Sequence, residues 1–226
     1  MPICKITALN KSFQKDDNLI RAIVNCNIEI KKGECVAISG SKASGKTTLL
    51  RILGGLERPT SGEVYINHKN ITNFTDDQLA KMRRNEIGYL FQNDSLIPEL
   101  TVHENIIIPS ILARKKYDKT YYQELIEWLN IGELLNHYPK QLAKNQLACV
   151  TYARALINKP NIILVDDFTD NYDYQMNKEL LDFLLNMVYY HKKTLIMVTN
   201  DSEIDLFVDH IIRLKDGEIV EDRRIS

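Results

Sequence analysis

Short apolar runs alternate with helical patterns along this chain. Runs of strand length occupy residues 3–9, 20–30, 35–39, 63–66, 87–91, 161–165 and 194–199. Patterns with helical spacing occupy residues 46–53, 76–84, 146–157, 174–190 and 202–207. Strands that alternate with helices favour a mainly parallel sheet, because a parallel connection has to cross back over the sheet. The pattern therefore predicts an α/β core, and the two N-terminal runs, separated by a polar turn at 14–18, predict an antiparallel β flap.

Local signals predict helix starts and a C-terminal hairpin. Capping boxes, in which Thr is followed three residues later by Glu or Gln, begin at Thr75, Thr101 and Thr120. Asp216-Gly217 predicts a type I′ turn that joins strands at 211–214 and 218–220.

A long helical stretch, from about residue 93 to 157, lies between the strands predicted at 87–91 and 161–165. We expect one domain of residues 1–226. Its core and β flap comprise residues 1–92 and 158–226, and residues 93–157 form an inserted helical subdomain.

Composition excludes several classes of protein. The 226 residues are 44% hydrophobic and 26% charged, which is enough apolar material for a packed core. Lys and Arg number 29 against 30 Asp and Glu, so the basic excess of a nucleic-acid binder is missing and we expect no nucleic-acid partner. No apolar run approaches the ~18–20 residues of a membrane span, and the first ten residues lack the layout of a signal peptide. Any membrane role therefore needs a partner that spans the membrane.

The cysteines and histidines show no metal-binding pattern. Cys4, Cys26, Cys35 and Cys149 form no C-x-x-C pair, and none of the five histidines has an i, i+4 partner. Buried, reduced thiols are favoured over a disulfide framework or a zinc site. We assign no metal-ligand role to these side chains.

A phosphate-binding loop is predicted where the strand at 35–39 gives way to a helix. Residues 40–47 read Gly-Ser-Lys-Ala-Ser-Gly-Lys-Thr and satisfy G-x-x-x-x-G-K-[ST]. Glycines let backbone N–H groups converge on phosphate oxygens, and the helix N-terminus adds partial positive charge. Lys46 can reach the β- and γ-phosphates, and the Thr47 hydroxyl can ligate Mg²⁺. The predicted ATP-binding residues here are Gly40, Ser41, Lys42, Ala43, Ser44, Gly45, Lys46, Thr47 and Thr48.

An acidic pair follows a buried strand further along the chain. Asp166 and Asp167 come directly after an apolar run that ends at Val165. A phosphate loop needs a second carboxylate on its magnesium side, at the end of such a strand. Asp166 is therefore the predicted partner of Thr47 at Mg²⁺.

Further motifs surround these two. Lys-Ser-Phe ends at Phe13, Gly-Tyr-Leu-Phe-Gln ends at Gln92, Tyr-Ala-Arg-Ala-Leu covers 152–156, and Thr-Asp-Asn-Tyr-Asp ends at Asp173. Together the motifs resemble the ATP-binding subunit of ABC transporters over nearly the whole chain. The segments 71–84 and 96–101 and the Thr-x-Asn-x-Asp ending resemble the branch of lipoprotein-release, macrolide-export and antimicrobial-peptide-resistance ATPases.

The resemblance implies a P-loop NTPase fold with a RecA-like parallel-sheet core, and a role for each motif. Phe13 would stack on adenine, Gln92 would sense Mg²⁺ and the attacking water, and Asp173 would be the D-loop aspartate. The implied magnesium ligands are Thr47, Gln92 and Asp166. The general base falls on Asp167 and the switch residue on Asn200.

The resemblance also implies partners. A transmembrane permease would hold the chain at the cytoplasmic, inner face of the cell membrane. Two ATP-binding subunits, as a homodimer or a heterodimer, would close head to tail around ATP. The signature segment of one subunit, here Leu142, Ala143, Lys144, Asn145 and Gln146, would contact the ATP of the other.

Several positions depart from the family pattern. The signature Leu-Ser-Gly-Gly-Gln has lost its serine and both glycines, so a hydroxyl and close backbone approach are lost. Asp167 stands where a glutamate is usual, which withdraws the base by about one methylene, and ~1 Å of misplacement can cost on the order of 100-fold in rate. Asn200 replaces a histidine and cannot carry its charge. Ala43 replaces a glycine, Cys149 an arginine and Phe168 a proline. The expectation is a chain that binds ATP and turns it over slowly or not at all. The alternative is an active ATPase that tolerates these residues.

Two classes of function remain open. The chain is either the ATP-binding subunit of a bacterial ABC transporter or an ATP-binding regulatory or sensor subunit that signals by dimerising. Soluble ABC ATPases of DNA repair or translation are disfavoured, because they carry coiled-coil insertions or two cassettes in one chain. A small-molecule kinase is excluded more firmly, since it would need neither the Gln92 motif nor a signature-like helix.

Overall fold

The computed structural model describes residues 2–16, 18–91, 96–166 and 174–225. The strands are β1 (Pro2–Lys15), β2 (Asn18–Lys31), β3 (Cys35–Gly40), β4 (Ser61–Ile66), β5 (Lys69–Asn70), β6 (Ile87–Leu90), β7 (Ile162–Val165), β8 (Thr194–Val198), β9 (His210–Lys215) and β10 (Glu218–Arg224). The helices are α1 (Lys46–Leu53), α2 (Asp76–Glu86), α3 (Val102–Leu112), α4 (Lys119–Trp128), α5 (Lys144–Leu156) and α6 (Tyr174–Tyr189). Short 3₁₀ turns cover Gly132–Leu134, Pro139–Gln141 and Ser202–Leu206.

The main sheet has the strand order β10-β9-β3-β8-β7-β6. Its strands run parallel from β9 to β6, and β10 pairs antiparallel to β9. Every residue of β7 and β8 is buried, which is why these strands appear in the sequence as continuous apolar runs. The parallel direction brings the ends of β3, β7 and β8 to one edge. The phosphate loop, Asp166 and Asn200 all follow at that edge.

Alternate residues of the central strands face two different cores. Cys35 and Ala37 of β3 belong to a cluster that includes residues of α3, α4, α5 and α6. Val36 and Ile38 belong to a second cluster, which includes α1 and the antiparallel sheet. The main sheet is therefore covered on both faces, and α1 is packed between it and the flap.

The flap is an antiparallel sheet with the order β2-β1-β4-β5. The α/β core and the antiparallel flap confirm the fold that the hydrophobic pattern predicts. The flap is longer than expected, because β1 and β2 extend to either side of the polar turn. The two-residue strand β5 was not predicted, since so short a segment leaves no periodicity to detect.

The predicted capping boxes have mixed outcomes. Thr75 with Gln78 and Thr101 with Glu104 form both reciprocal hydrogen bonds, at the starts of α2 and α3. The box predicted at Thr120 is wrong, because α4 begins at Lys119 and Thr120 lies in its first turn. Asp118 caps this helix instead, with Oδ1 accepting the Tyr121 N–H at 3.1 Å. An aspartate is the stronger cap because it also meets the positive end of the helix dipole.

The C-terminal hairpin reaches back to the phosphate loop. Its turn residues Asp216 and Gly217 have φ of 51° and 82°, which confirms the predicted type I′ geometry. The Gly217 N–H donates to the Ser44 carbonyl at 3.1 Å, and the Gly217 carbonyl accepts the Val24 N–H at 2.9 Å. The turn thus joins the flap to the loop that binds phosphate.

Three of the four cysteines are buried, as the sequence suggested. Burial raises the pKa of Cys4 and Cys35 to about 12 and that of Cys26 to about 11. Cys149 is half-buried.

Within the described ranges, no helix is both long enough and apolar enough to cross a membrane.

A buried amide holds the segment that precedes α3. The Asn105 side chain is fully buried and donates to the carbonyls of Ile97, Leu100 and Thr101, each at 3.0 Å. Its Oδ1 accepts the Ile97 N–H at 2.8 Å. Asn105 therefore satisfies the polar groups of a loop that has no ladder of its own.

Replacing Asn105 with alanine should lower the free energy of unfolding by ~3 kcal/mol, because buried loop carbonyls and one N–H lose their partner. The midpoint of urea unfolding measures this loss. Gln123→Ala removes an exposed amide from α4 and should change stability by less than ~0.5 kcal/mol. Equal effects of the two changes would show that Asn105 does not hold the loop.

Candidate nucleotide-binding site

The phosphate loop joins the end of β3 to the start of α1, as its motif requires. Its glycines are needed at two close approaches. A Cβ on Gly40 would lie 2.1 Å from the Leu214 carbonyl oxygen, and one on Gly45 would lie 2.3 Å from that of Ala22. Both also have positive φ, of 148° and 102°. Ala43 adopts φ of 65°, a left-handed conformation that costs a non-glycine residue ~1 kcal/mol.

Lys46 is buried inside the loop. Its ammonium donates to the carbonyls of Gly40 at 2.7 Å and Ser41 at 2.8 Å. These two contacts hold the positive charge within the phosphate loop, where it can bind phosphate oxygens.

The loop also contains a buried hydroxyl. Ser44 is 2% exposed, and its Oγ has no hydrogen-bond partner among the described residues. A buried polar atom without a partner is costly unless a ligand satisfies it. This hydroxyl and the glycines on either side fit an anion with several oxygens.

Thr47 and Asp166 meet as the sequence predicted. The Thr47 hydroxyl donates to Asp166 Oδ1 at 2.9 Å. The carboxylate is 5% exposed, and its other oxygen accepts the Tyr89 hydroxyl at 3.3 Å. A hydroxyl and a carboxylate are the oxygen ligands that Mg²⁺ prefers, so this pair fits the magnesium side of an ATP site.

Tyr89 is a candidate site residue that the sequence did not indicate. It lies in the Gly-Tyr-Leu-Phe-Gln motif, but its contact with Asp166 depends on the pairing of β6 with β7. Burial and the Asp166 charge raise the pKa of Tyr89, so its hydroxyl stays protonated and donates.

Phe13 lies beside the phosphate loop. It lines a cavity of about 280 Å³ together with Ile20, Arg21, Ala22 and residues 43–48. The ring is 38% exposed, and the Lys11 ammonium lies 4.6 Å from its centroid. Glu57 Oε1 holds that ammonium at 2.6 Å. The arrangement presents an aromatic face to a flat ligand, and Arg21 is a lining residue that no motif indicated.

A second cavity opens on the other side of the loop. It measures about 440 Å³ and is lined by Ser39, Gly40, Ser41, Lys42, Asn200, Asp205 and Arg213. Asn200 is exposed there, two residues after β8 ends. Arg213 was not predicted, because only the pairing of β9 with β3 brings it to the loop. Asp205 was not predicted either; it lies in the 3₁₀ turn after β8 and forms an ion pair with Arg213.

The signature segment lies at the start of α5 and lines neither cavity. Ala143 is the N-cap residue, and its N–H donates to Gln146 Oε1 at 2.9 Å. Lys144 and Asn145 are exposed on the first turn, and Leu142 is half-buried. The structure does not bring these residues to the phosphate loop of the same chain.

Three predicted site residues, Gln92, Asp167 and Asp173, lie outside the described residues. The structure gives no account of them, and their roles stay predictions.

Comparison with known proteins assigns the family. The model of the ABC transporter family matches residues 23–170. The uncharacterized ABC transporter ATP-binding protein MJ0796 of Methanocaldococcus jannaschii is 37% identical over 98% of this chain and 97% of its own length. The macrolide export ATP-binding/permease protein MacB of Vibrio parahaemolyticus is 36% identical over 97% of this chain, which spans only 34% of that protein.

A solved structure agrees with the sequence match. The ATP-binding cassette MJ0796, in a dimeric post-hydrolysis state bound to ADP and Pi, superposes with a TM-score of 0.90 at 36% identity and 99% coverage of both chains. The phosphate loop and the Thr47–Asp166 contact lie on the same fold as that nucleotide-bound cassette. The chain therefore belongs to the ABC transporter family and is an ATP-binding cassette with a P-loop NTPase fold.

Proposed function

We propose that this chain is the ATP-binding subunit of a bacterial transporter, which binds Mg-ATP and acts on a separate membrane permease. The observation that carries the proposal is the contact of Thr47 with Asp166, at the residue that follows the buried Lys46 of the phosphate loop. These groups provide a cation for phosphate and oxygen ligands for a divalent metal at the same edge of the sheet.

Each residue of the site has its own part in this proposed ATP binding. Phe13 packs against adenine, and the backbone N–H groups of residues 43–48 and the Ser44 hydroxyl donate to phosphate oxygens. Lys46 leaves the carbonyls of Gly40 and Ser41 for the β- and γ-phosphates. Thr47 and Asp166, together with Gln92, would hold Mg²⁺, which neutralises negative charge on those phosphates when bound.

Two copies of such a cassette, or this chain with a different cassette, would bind ATP between them. The exposed start of α5 supports this arrangement, because Lys144 and Asn145 lie on the surface and line neither cavity of their own phosphate loop. MJ0796 has been solved as a dimer. We propose that Lys144 places a point charge at the partner's γ-phosphate in place of the lost backbone contacts, and that Asp173 serves as the D-loop aspartate.

The permease would dock beside α3. Ile97, Ile111 and Leu112, at the two ends of this segment, expose 37%, 58% and 60% of their surface and offer apolar area to a partner. We propose that residues 93–157 form the helical subdomain that carries this surface. The MacB relatives are named as joint ATP-binding and permease proteins, which supports a permease partner and a position at the inner face of the membrane.

Turnover by the chain alone should be slow. Asn200 lies beside Gly40 and Lys42 but carries no charge, and Asp167 is shorter than the usual base. Phosphate release by the purified chain should stay well below ~1 s⁻¹, the lower end of ordinary enzyme rates. Lys46→Ala supplies the background rate of the assay. Steady-state turnover at or above ~1 s⁻¹ would contradict the proposed impairment.

A regulatory or sensor subunit is the second candidate, and the altered signature, base and switch positions favour it. It would share the ATP site and lack a permease. The gene next to this one distinguishes the two candidate functions. A reading frame with several apolar spans of ~20 residues would support the transporter, whereas a neighbour without spans would favour the sensor.

A further inference from the structure

The phosphate loop separates two cavities. Residues 43–48 line the one that contains Phe13, and residues 39–42 line the one that contains Asn200. The Lys46 ammonium contacts the carbonyls of Gly40 and Ser41, so it lies where the two cavities meet. If adenine lies on Phe13, a phosphate chain that runs along the loop places its terminal phosphate in the cavity of Asn200.

That cavity contains two cations, and one of them is already neutralised. Arg213 Nη2 lies 2.5 Å from Asp205 Oδ2, and Arg213 Nε lies 3.2 Å from Glu221 Oε2. Asp205 is therefore the main counter-charge of this guanidinium, since Glu221 also pairs with Arg223, and Asn200 adds no charge.

Lys42 is the other cation of this cavity. It is exposed, and within the described part of the chain no hydrogen bond or ion pair engages its ammonium. Its flexible stem lets the charge reach a ligand in this cavity. A terminal phosphate that enters this cavity would find in Lys42 a cation with no competing carboxylate contact.

We propose that Lys42 binds the terminal phosphate of the nucleotide from within the same chain and thereby sets the preference for ATP over ADP. This inference rests on the proposed ATP-binding function. Lys46, at the junction of the cavities, contacts both nucleotides, whereas Lys42 lines only the cavity that the third phosphate would reach. Lys42 thus supplies the positive charge that Asn200 cannot.

The test compares the dissociation constants of ATP and ADP, with Mg²⁺ in excess, for the parent chain and for Lys42→Ser, Lys42→Arg and Lys69→Ser. Lys42→Ser should weaken ATP binding by about 10-fold and ADP binding by less than about 2-fold, since one charge-assisted contact to the third phosphate is lost. Lys42→Arg should keep most of the ATP preference. Lys69→Ser removes an exposed lysine from a different cavity and should change neither constant. The thermal midpoint should not fall in Lys42→Ser, because the side chain is exposed.

Failure of the Lys42 proposal and failure of the proposed function would give different results in this experiment. An unchanged ATP-to-ADP ratio in Lys42→Ser would overturn the role of Lys42, and so would an equal loss for both nucleotides, which would make it a general source of attraction. A parent chain that binds neither nucleotide would instead refute the proposed function itself.

Discussion

Replacing Lys46 with alanine should lower the affinity for Mg-ATP by at least ~100-fold. The buried ammonium is positioned for two charge-assisted contacts to phosphate, each of which contributes ~1.5–3 kcal/mol, and 1.4 kcal/mol corresponds to tenfold in affinity. Equilibrium binding of a labelled ATP to the purified chain measures the change. ADP affinity should fall as well, because Lys46 lies where the two cavities of the loop meet.

Folding of the variant needs its own control, since Lys46 also bonds two loop carbonyls. Lys46→Met keeps the length of the side chain without the charge, and it should lose ATP as Lys46→Ala does. Circular dichroism and the urea midpoint confirm that both variants fold. A folded Lys46→Ala chain that binds ATP like the parent would show that the phosphate loop is not the nucleotide site.

Combining Asp167→Glu with Asn200→His should raise steady-state ATPase activity by about 100-fold, more than the product of the single changes. The longer carboxylate moves the base by about one methylene, and ~1 Å of placement is worth on the order of 100-fold in rate. The imidazole at position 200 would lie beside Gly40 and Ser41, in the cavity of the terminal phosphate. A base and the group that orients the reaction act as a unit, so their effects do not add.

The control for this pair is Asp201→Glu, the same change of side chain next to the switch position. Asp201 Oδ1 accepts the Glu203 N–H at 2.8 Å and so caps the following 3₁₀ turn. Asp201→Glu should leave turnover unchanged. If the paired change gives a merely additive gain or none, the defect lies elsewhere, and the altered segment 142–146 is then the first candidate.

Most of the fold was predictable because its core strands are buried on both faces. Such strands have to be apolar throughout, and β3, β7 and β8 are recognisable for that reason. The ends of α2 and α3 were equally clear from their caps. The start of α4 was not, because Asp118 and Thr120 both offer an oxygen two residues apart and only the folded helix shows which one accepts.

The residues of the site also fall into those that a local pattern predicts and those that only the folded chain brings together. Residues inside one local motif, such as Lys46 and Thr47, could be found from spacing alone. Tyr89 and Arg213 could not, because each depends on which strands become neighbours in the sheet. Asp205 could not either, because its place at the site depends on its ion pair with Arg213. β3 and β9 are far apart in the sequence, and no periodicity indicates that they pair.

The contact of Gly217 with Ser44 bears on how the protein is made. A nascent chain that has left the ribosome as far as residue 200 already contains all the residues that are proposed to contact ATP. Its β3 strand would still expose an open edge, since β9 covers it from Val36 to Gly40. The Ser44 carbonyl would also lack the Gly217 N–H. An uncovered central strand can pair with other chains, so the unfinished protein is at risk of aggregation until the hairpin of β9 and β10 emerges. The phosphate loop gains the Gly217 contact only after the hairpin of β9 and β10 has been made.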